Sequence, residues 1–338
     1  MSTENAAHNN GPGVYDNAHS MCALGLDIGG TKTAVSLWRC PPSREMPAPD
    51  CAREGSLIKK AVFPTQGGPQ KTLEKAAELI GELTEAAGVS SVSSLGISCG
   101  GPLDSRRGLI LSPPNLPGWD EVPVTALLGE KTGLPCFLEN DANACALAEW
   151  YWGAGRGCSD MAFLTFGTGL GCGLILGGRL YRGSGDLAGE VGHIRIAEDG
   201  PEGYGKRGSW EGYCSGGGIS RMYAELTGRG ETGKYVCDAA ERGDAEALEV
   251  IKKSAFYLGR GLSLLIDILN VQRIVIGSVF ARSESLFRTV MEKVIEEETL
   301  DAARKQCVIL PAELGERLGD MAALGVAING LEKTEKIL

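Results

Sequence analysis

Residues 26–37 read LDIGGTKTAVSL, and residues 164–175 read LTFGTGLGCGLI. Each is an apolar strand, a glycine-rich turn and a second strand, the pattern of a β-hairpin. The second copy follows the first by 138 residues, and each stands near the start of one half of the chain. A repeat on this scale implies a duplicated domain with a cleft between the copies. The turns also have a chemical reading. Glycines let the backbone approach a phosphate closely and aim N–H groups at it. In the first turn Thr31 adds a hydroxyl and Lys32 a positive charge. Asp27, at the strand end, can hold Mg²⁺ through water. A second cradle at 165–171, facing the first, would grip one nucleotide from both sides. A plain hairpin turn accounts for either stretch alone, but less well for the pair. Thr31, not Lys, follows Gly30, so the first turn is no Walker loop; no helix follows it, so it is no dinucleotide fingerprint.

Working outward, a strand is expected at 57–63 and a helix at 71–87, closed by Gly88. A buried strand follows at 94–98, another strand at 136–138 and an Ala-rich helix at 142–152. A long apolar helix at 248–270 feeds a strand at 273–276. An amphipathic segment spans 283–298, and a terminal helix spans 320–331. Alternating strands and helices give an α/β class. The chain has 338 residues, a length that suits two domains or one large α/β unit. The expected division is a disordered polar leader at 1–21, an N-terminal lobe at 22–138 and a C-terminal lobe at 139–319. The terminal helix, 320–338, would pack back on the first lobe. The Pro-rich stretch 40–53 reads as a loop.

Composition excludes several classes. With 43% hydrophobic and 22% charged residues the chain is neither disordered nor fibrous. A net charge of −10 without a basic tract argues against nucleic acid as the main partner. No apolar run approaches the roughly 20 residues of a membrane span. The polar leader is not a signal peptide. The 11 cysteines are odd in number and never spaced as CxxC. They read as free, mostly buried thiols in a reducing, cytoplasmic setting.

Two further groups carry chemistry. In Glu139-Asn140-Asp141 a carboxylate at a strand end can take a proton from a hydroxyl nucleophile. The competing reading makes Asn140 or Asp141 the N-cap of the helix that follows. Glu190, His193 and Glu211 supply two carboxylates and an imidazole that could hydrogen-bond a polyol. His193 could equally be a satisfied structural histidine.

At these residues the chain resembles the ROK family of sugar kinases and repressors, from residue 24 onward. LGLDIGGTKT (24–33) and LTFGTGLGCGLI (164–175) resemble its phosphate motifs, and SCGGPLD (98–104) and PPNLPGW (113–119) its sugar-lobe segments. LENDANACALAEWYWGAG (138–155) is similar to its catalytic segment. GEVGHIRI (189–196) and EGYCSG (211–216) resemble its sugar signature, and LGDMAALGVA (318–327) its last helix. The resemblance implies an actin-like, ribonuclease-H-like, two-lobed fold that binds ATP with Mg²⁺ in the cleft. It also implies transfer to a hexose hydroxyl, usually O6, and a homodimer. Asp141 takes the place of the general base. Asn140, Glu190, His193 and Glu211 match sugar contacts, with Asn115 and Gly101 beside them. Asp27, Gly29, Gly30, Thr31, Lys32, Thr168, Gly169 and Gly277 fall on the nucleotide side.

The chain departs from the family pattern twice. The family usually holds a structural zinc with the signature His and three cysteines. Those three positions here are Glu202, Tyr204 and Ser209. No structural zinc is therefore expected, and packing by Tyr204 and Trp210 is expected in its place. The adenosine-side turn reads Gly277-Ser278-Val279-Phe280 instead of a glycine run. The expectation is an ATP-dependent hexose kinase acting on glucose or a related hexose. The alternatives are an N-acetylmannosamine, N-acetylglucosamine or other sugar kinase of the family, and a sugar-sensing protein without catalysis. About twenty polar residues before the first strand are too few for the DNA-binding module of a repressor.

Overall fold

The computed structural model describes residues 21–40 and 56–335. The leader expected at 1–21, apart from Met21, and nearly all of the loop expected at 40–53 lie outside them. The first hairpin is β1 (Met21–Ile28) and β2 (Lys32–Cys40), in register from Met21↔Cys40 to Ile28↔Thr33. β3 (Ser56–Pro64) extends it antiparallel. Helix α1 (Gly68–Ala86) begins at a Gly-Pro pair and stops where Gly88 takes a φ of 62° and donates its N–H to the Glu85 carbonyl. β4 (Leu95–Cys99) lies parallel to β1. A small hairpin, β5 (Leu103–Asp104) and β6 (Leu109–Ile110), and α2 (Val124–Thr132) lead to β7 (Cys136–Asn140), parallel to β4. α3 (Asp141–Trp152) follows at once.

The second half repeats the scheme. β8 (Met161–Leu164), β9 (Cys172–Leu176) and β10 (Arg179–Tyr181) form an antiparallel meander. A two-strand hairpin, β11 (Glu202–Gly203) and β12 (Lys206–Arg207), precedes four helices: α4 (Trp210–Tyr213), α5 (Gly216–Thr227), α6 (Gly233–Glu241) and α7 (Ala245–Leu269). β13 (Arg273–Ile276), α8 (Ser278–Glu298), α9 (Asp301–Arg304), β14 (Val308–Pro311) and α10 (Leu318–Glu335) complete the chain. The sheet orders are β3-β2-β1-β4-β7 and β10-β9-β8-β13-β14. In each, three antiparallel strands are followed by two parallel ones, so the repeated hairpins mark a duplicated, actin-like, two-lobed fold.

Each half lends its last helix to the other. α3 leaves the first sheet and lies on β8 and β9; α10 leaves the second and lies on β1 and β4. The two helices pack on each other, giving an Ala-rich core between the sheets that contains Ala144, Leu147, Met321 and Leu324. Close approach is built in. Gly25 and Gly96 are paired across β1 and β4. A Cβ on Gly96 would stand 2.1 Å from the Ala323 carbonyl oxygen and 2.4 Å from the Ala327 nitrogen.

Several details differ from the sequence reading. β7 continues in register through Glu139 and Asn140, so these residues stand on the first sheet rather than beyond a lobe boundary at 138. The segment expected at 283–298 starts at Ser278 and kinks at Ser283, where φ is −129°. α2, α4, α5, α6 and β14 were not expected. α2 buries only Val124 and Leu128, too little for a periodic signal. α5 begins with three glycines, which are poor helix formers. Among the described residues no helix is long and apolar enough to cross a membrane.

Candidate active site

The β7–α3 junction sets the centre. Asn140 has extended backbone angles (φ −65°, ψ 146°), and its Oδ1 accepts the Ala142 N–H at 2.9 Å. Asn140 is thus the N-cap, and Asp141 is the first helical residue. The Asp141 carboxyl also accepts from the Ala142 N–H, at 2.8 Å, and opens on the cleft. The surrounding protein bulk raises its pKa; the Ala142 N–H opposes this, and the charge of Glu190 adds to it. Glu139 beside them is buried. It accepts from the Asn140 N–H at 3.1 Å, Asn143 Nδ2 at 2.9 Å and Arg182 Nε at 2.6 Å. Arg182 begins the loop that runs to Glu190, and in that loop Asp186 accepts the Ser105 N–H at 2.7 Å. Two polar ties therefore join that loop to the first lobe.

Gly30, Gly101, Asn115 and Asn140 share one wall. A Cβ on Gly30 would stand 2.5 Å from the Asn115 carbonyl oxygen, and one on Gly101 3.2 Å from Asn140 Nδ2. Only glycine lets the first turn and the 113–119 loop meet. The turn is closed by the Gly29 N–H donating to the Lys32 carbonyl at 3.1 Å, and it leaves Thr31 and Lys32 exposed.

Asp27 ends β1 with its pKa pushed up to about 6 by burial, then by the charges of Asp141 and Asp320; Lys60 and Lys32 pull it partly down. Asp320, at the start of α10, pairs with Lys60 at 2.7 Å. These oxygen donors suit a hard cation. Among the described residues no three His, Cys, Asp or Glu side chains lie close enough together to hold a metal alone. Mg²⁺ would therefore need phosphate oxygens to complete its shell.

The second glycine turn rests on two helix starts. The N–H groups of Gly216 and Gly217 donate to the Gly167 and Thr168 carbonyls at 2.7 and 3.4 Å. Those of Gly277 and Val279 donate to Leu164 and Phe166 at 2.8 and 3.0 Å. Gly277 thus joins Thr168 and Gly169. The glycine run 216–218 belongs with them; its composition was the available signal, but Gly216 closed the segment 211–216, which resembles the family's sugar signature.

Glu211 ties this turn to the hairpin of β11 and β12. Its Oε2 accepts the Leu170 N–H at 3.0 Å and its Oε1 the Tyr204 N–H at 3.2 Å. A Cβ on Gly169 would stand 2.7 Å from that Oε2. Glu190 accepts a short hydrogen bond from the Tyr204 hydroxyl. The His193 ring meets the Tyr204 ring edge-on, with centroids 5.3 Å apart. Lys206 Nζ donates to His193 Nδ1 at 3.4 Å. Two of the three residues at the cysteine positions, Tyr204 and Ser209, do not suit zinc. Ser209 is buried, donating to the Gly203 carbonyl at 2.8 Å and capping α4. Tyr204 faces Glu190, and a lysine sits on His193. Cys214 lies fully buried against the Ser254 carbonyl. The packing expectation holds for Trp210, which is 1% exposed, but fails for Tyr204, which is 48% exposed. Tyr204 was missed as a site residue because residue type alone reads as apolar bulk.

Residues 23–329 match the model of the ROK family. The chain is 33% identical to the glucokinase of Thermotoga maritima over 291 residues, covering 81% of this chain and 87% of the relative. Its fold matches the crystal structure of a ROK hexokinase from Thermus thermophilus with a TM-score of 0.79 and 30% identity, over 93% of this chain and all of that one. It also matches a ROK family glucokinase from Streptomyces griseus in complex with glucose and AMPPNP, with a TM-score of 0.69 and 29% identity, over 91% and 99% of the two chains.

Proposed function

The chain belongs to the ROK family, and on that premise we propose that it is an ATP-dependent hexose kinase acting on O6 of glucose or a close relative. The observation that carries this reading is the Asp141 carboxyl. Asn140 caps the helix, so Asp141 is left at the cleft with a raised pKa, suited to accepting the proton of a sugar hydroxyl. Asn140, Asn115 and Gly101 line the sugar wall on the first lobe; Glu190, His193 and Glu211 line it on the second. The two glycine turns present backbone N–H groups to the phosphates, with Thr31, Lys32 and Thr168 beside them. Mg²⁺ held near Asp27 by the nucleotide would offset phosphate charge. Closure of the lobes over sugar would exclude water and limit ATP hydrolysis.

The test is a coupled ADP-release assay over a panel of glucose, mannose, fructose, N-acetylglucosamine and N-acetylmannosamine. Sugar-dependent ADP release with glucose supports the reading. Preference for an N-acetylated hexose moves the substrate within the family, and release with no sugar overturns the activity. Glu190→Gln and Glu211→Gln should each raise the sugar KM about tenfold, the worth of one charge-assisted hydrogen bond. The ATP KM should hold in Glu190→Gln and move less than the sugar KM in Glu211→Gln, whose side chain also accepts from the second glycine turn at Leu170. Equal weakening of sugar and ATP would remove these residues from the sugar site.

The protein also fits a homodimer. Leu264 (43% exposed) and Ile268 (73%) lie one turn apart on α7, and Leu300 (68%) donates its N–H to Asp267 on the same helix. Such a patch is usual at an interface. Light scattering should give twice the chain mass, and Ile268→Asp should give a monomer. A monomeric parent would overturn the proposal. A reducing cytoplasm suits the ten free cysteines among the described residues.

A further inference from the structure

Tyr204 and Gly205 form the two-residue turn between β11 and β12, with φ of 55° and 69°. This is a turn for Asn-Gly or Gly-Gly. A tyrosine at positive φ is strained, by roughly 1 kcal/mol. Strain of this kind persists where the surroundings hold it and where function uses it. Four contacts leave this turn. The Tyr204 hydroxyl donates to Glu190, its N–H donates to Glu211, its ring lies against His193, and the neighbouring Lys206 donates to His193. Every residue proposed above for the second-lobe side of the sugar pocket is therefore touched by one six-residue hairpin. The side chain is not there to fill the core, since half of its surface is open. The positions that the family resemblance gives to zinc fall on this same hairpin and its flank, and two of them, Tyr204 and Ser209, are poor ligands for the metal.

We propose that Tyr204 is a positioning residue of the sugar pocket: in a metal-free hairpin its hydroxyl fixes Glu190 and its ring fixes His193, in place of a bound zinc. The inference rests on the hexose kinase reading for what the pocket binds, but not for what holds the hairpin.

The experiment compares the wild-type protein with Tyr204→Phe and Tyr204→Asn, by melting, metal content and kinetics. Tyr204→Phe keeps the ring and removes the hydroxyl. It should raise the sugar KM about three- to tenfold, the range for one hydrogen bond, and move the ATP KM much less. Tyr204→Asn fits the turn and loses the ring. It should melt at or above the wild-type temperature while raising the sugar KM at least as far. A structural filler would lose stability in both variants and leave the balance of the two KM values alone. Tag-free protein should carry no stoichiometric zinc, and its melt should not move with a strong chelator. The proposal falls if Tyr204→Phe keeps the wild-type sugar KM, if Tyr204→Asn lowers the melting temperature, or if the chelator does. Should the wild type phosphorylate no hexose, the activity is overturned separately, and the melting and metal arms still decide whether the hairpin stands without metal.

Discussion

Asp141→Ala will cut turnover by about 10²- to 10⁴-fold, the usual contribution of a general base, and leave the protein folded. The junction geometry separates the two roles that the sequence left open. Asn140 caps α3, so the roughly 1 kcal/mol of a lost cap attaches to Asn140→Ala. Asp141 bears a folded pKa above the ordinary value. A carboxyl shifted in this direction favours the fold below its unfolded pKa, and that contribution is lost as pH rises through the folded value. At pH 8 its ionised form is thus a liability, and the alanine variant should melt at or above the wild-type temperature. Single-turnover kinetics and calorimetry at pH 8 check both halves. Retained turnover with a lower melting point would make Asp141 a second cap and nothing more. The acid limb of the wild-type pH profile should lie above the range of an ordinary aspartate, because the base must be ionised to act. Glu190→Gln removes one of the charges that raise Asp141, so it should move that limb to lower pH.

Gly96→Ala will cost stability rather than chemistry. The added methyl would meet backbone on both sides, at Ala323 and Ala327 of α10, and backbone cannot rotate away. The cost should reach about 3 kcal/mol, a drop of roughly 4 °C in Tm for a chain of 338 residues. Gly81→Ala is the control. Gly81 sits within α1 with no atom within 4 Å of the added methyl, so it should be neutral or gain up to about 1 kcal/mol. Equal melting of the two variants would mean that α10 does not seat on Gly96.

The repeated hairpins and the alternation of elements foretold the fold because glycine turns and apolar strands are local signals. The crossing of α3 and α10 between the halves was only partly readable. Small residues such as Gly25, Gly96 and Ala323 mark close packing, but nothing local says which partner they meet. In the site, Asn140 and Asp141 were both readable as the cap, and backbone angles assign it to Asn140. The Glu139–Arg182 tie spans 43 residues and was invisible. Tyr204 could not be placed because a tyrosine in a hairpin turn contradicts turn propensity; the turn became visible only with its positive φ.

The exchange of helices has a consequence for synthesis on the ribosome. The first sheet is complete once Asn140 has emerged, but the helix that covers β1 and β4 begins at Leu318. Roughly 180 residues separate them, and at 5–20 residues per second their translation takes on the order of ten to forty seconds. Throughout that interval the nascent sheet face that carries Ala23, Gly25 and Gly96 lacks its helix layer. The first half of the molecule thus stays open on one side until the last helix is made, and a premature stop before Leu318 leaves both halves unfinished instead of one.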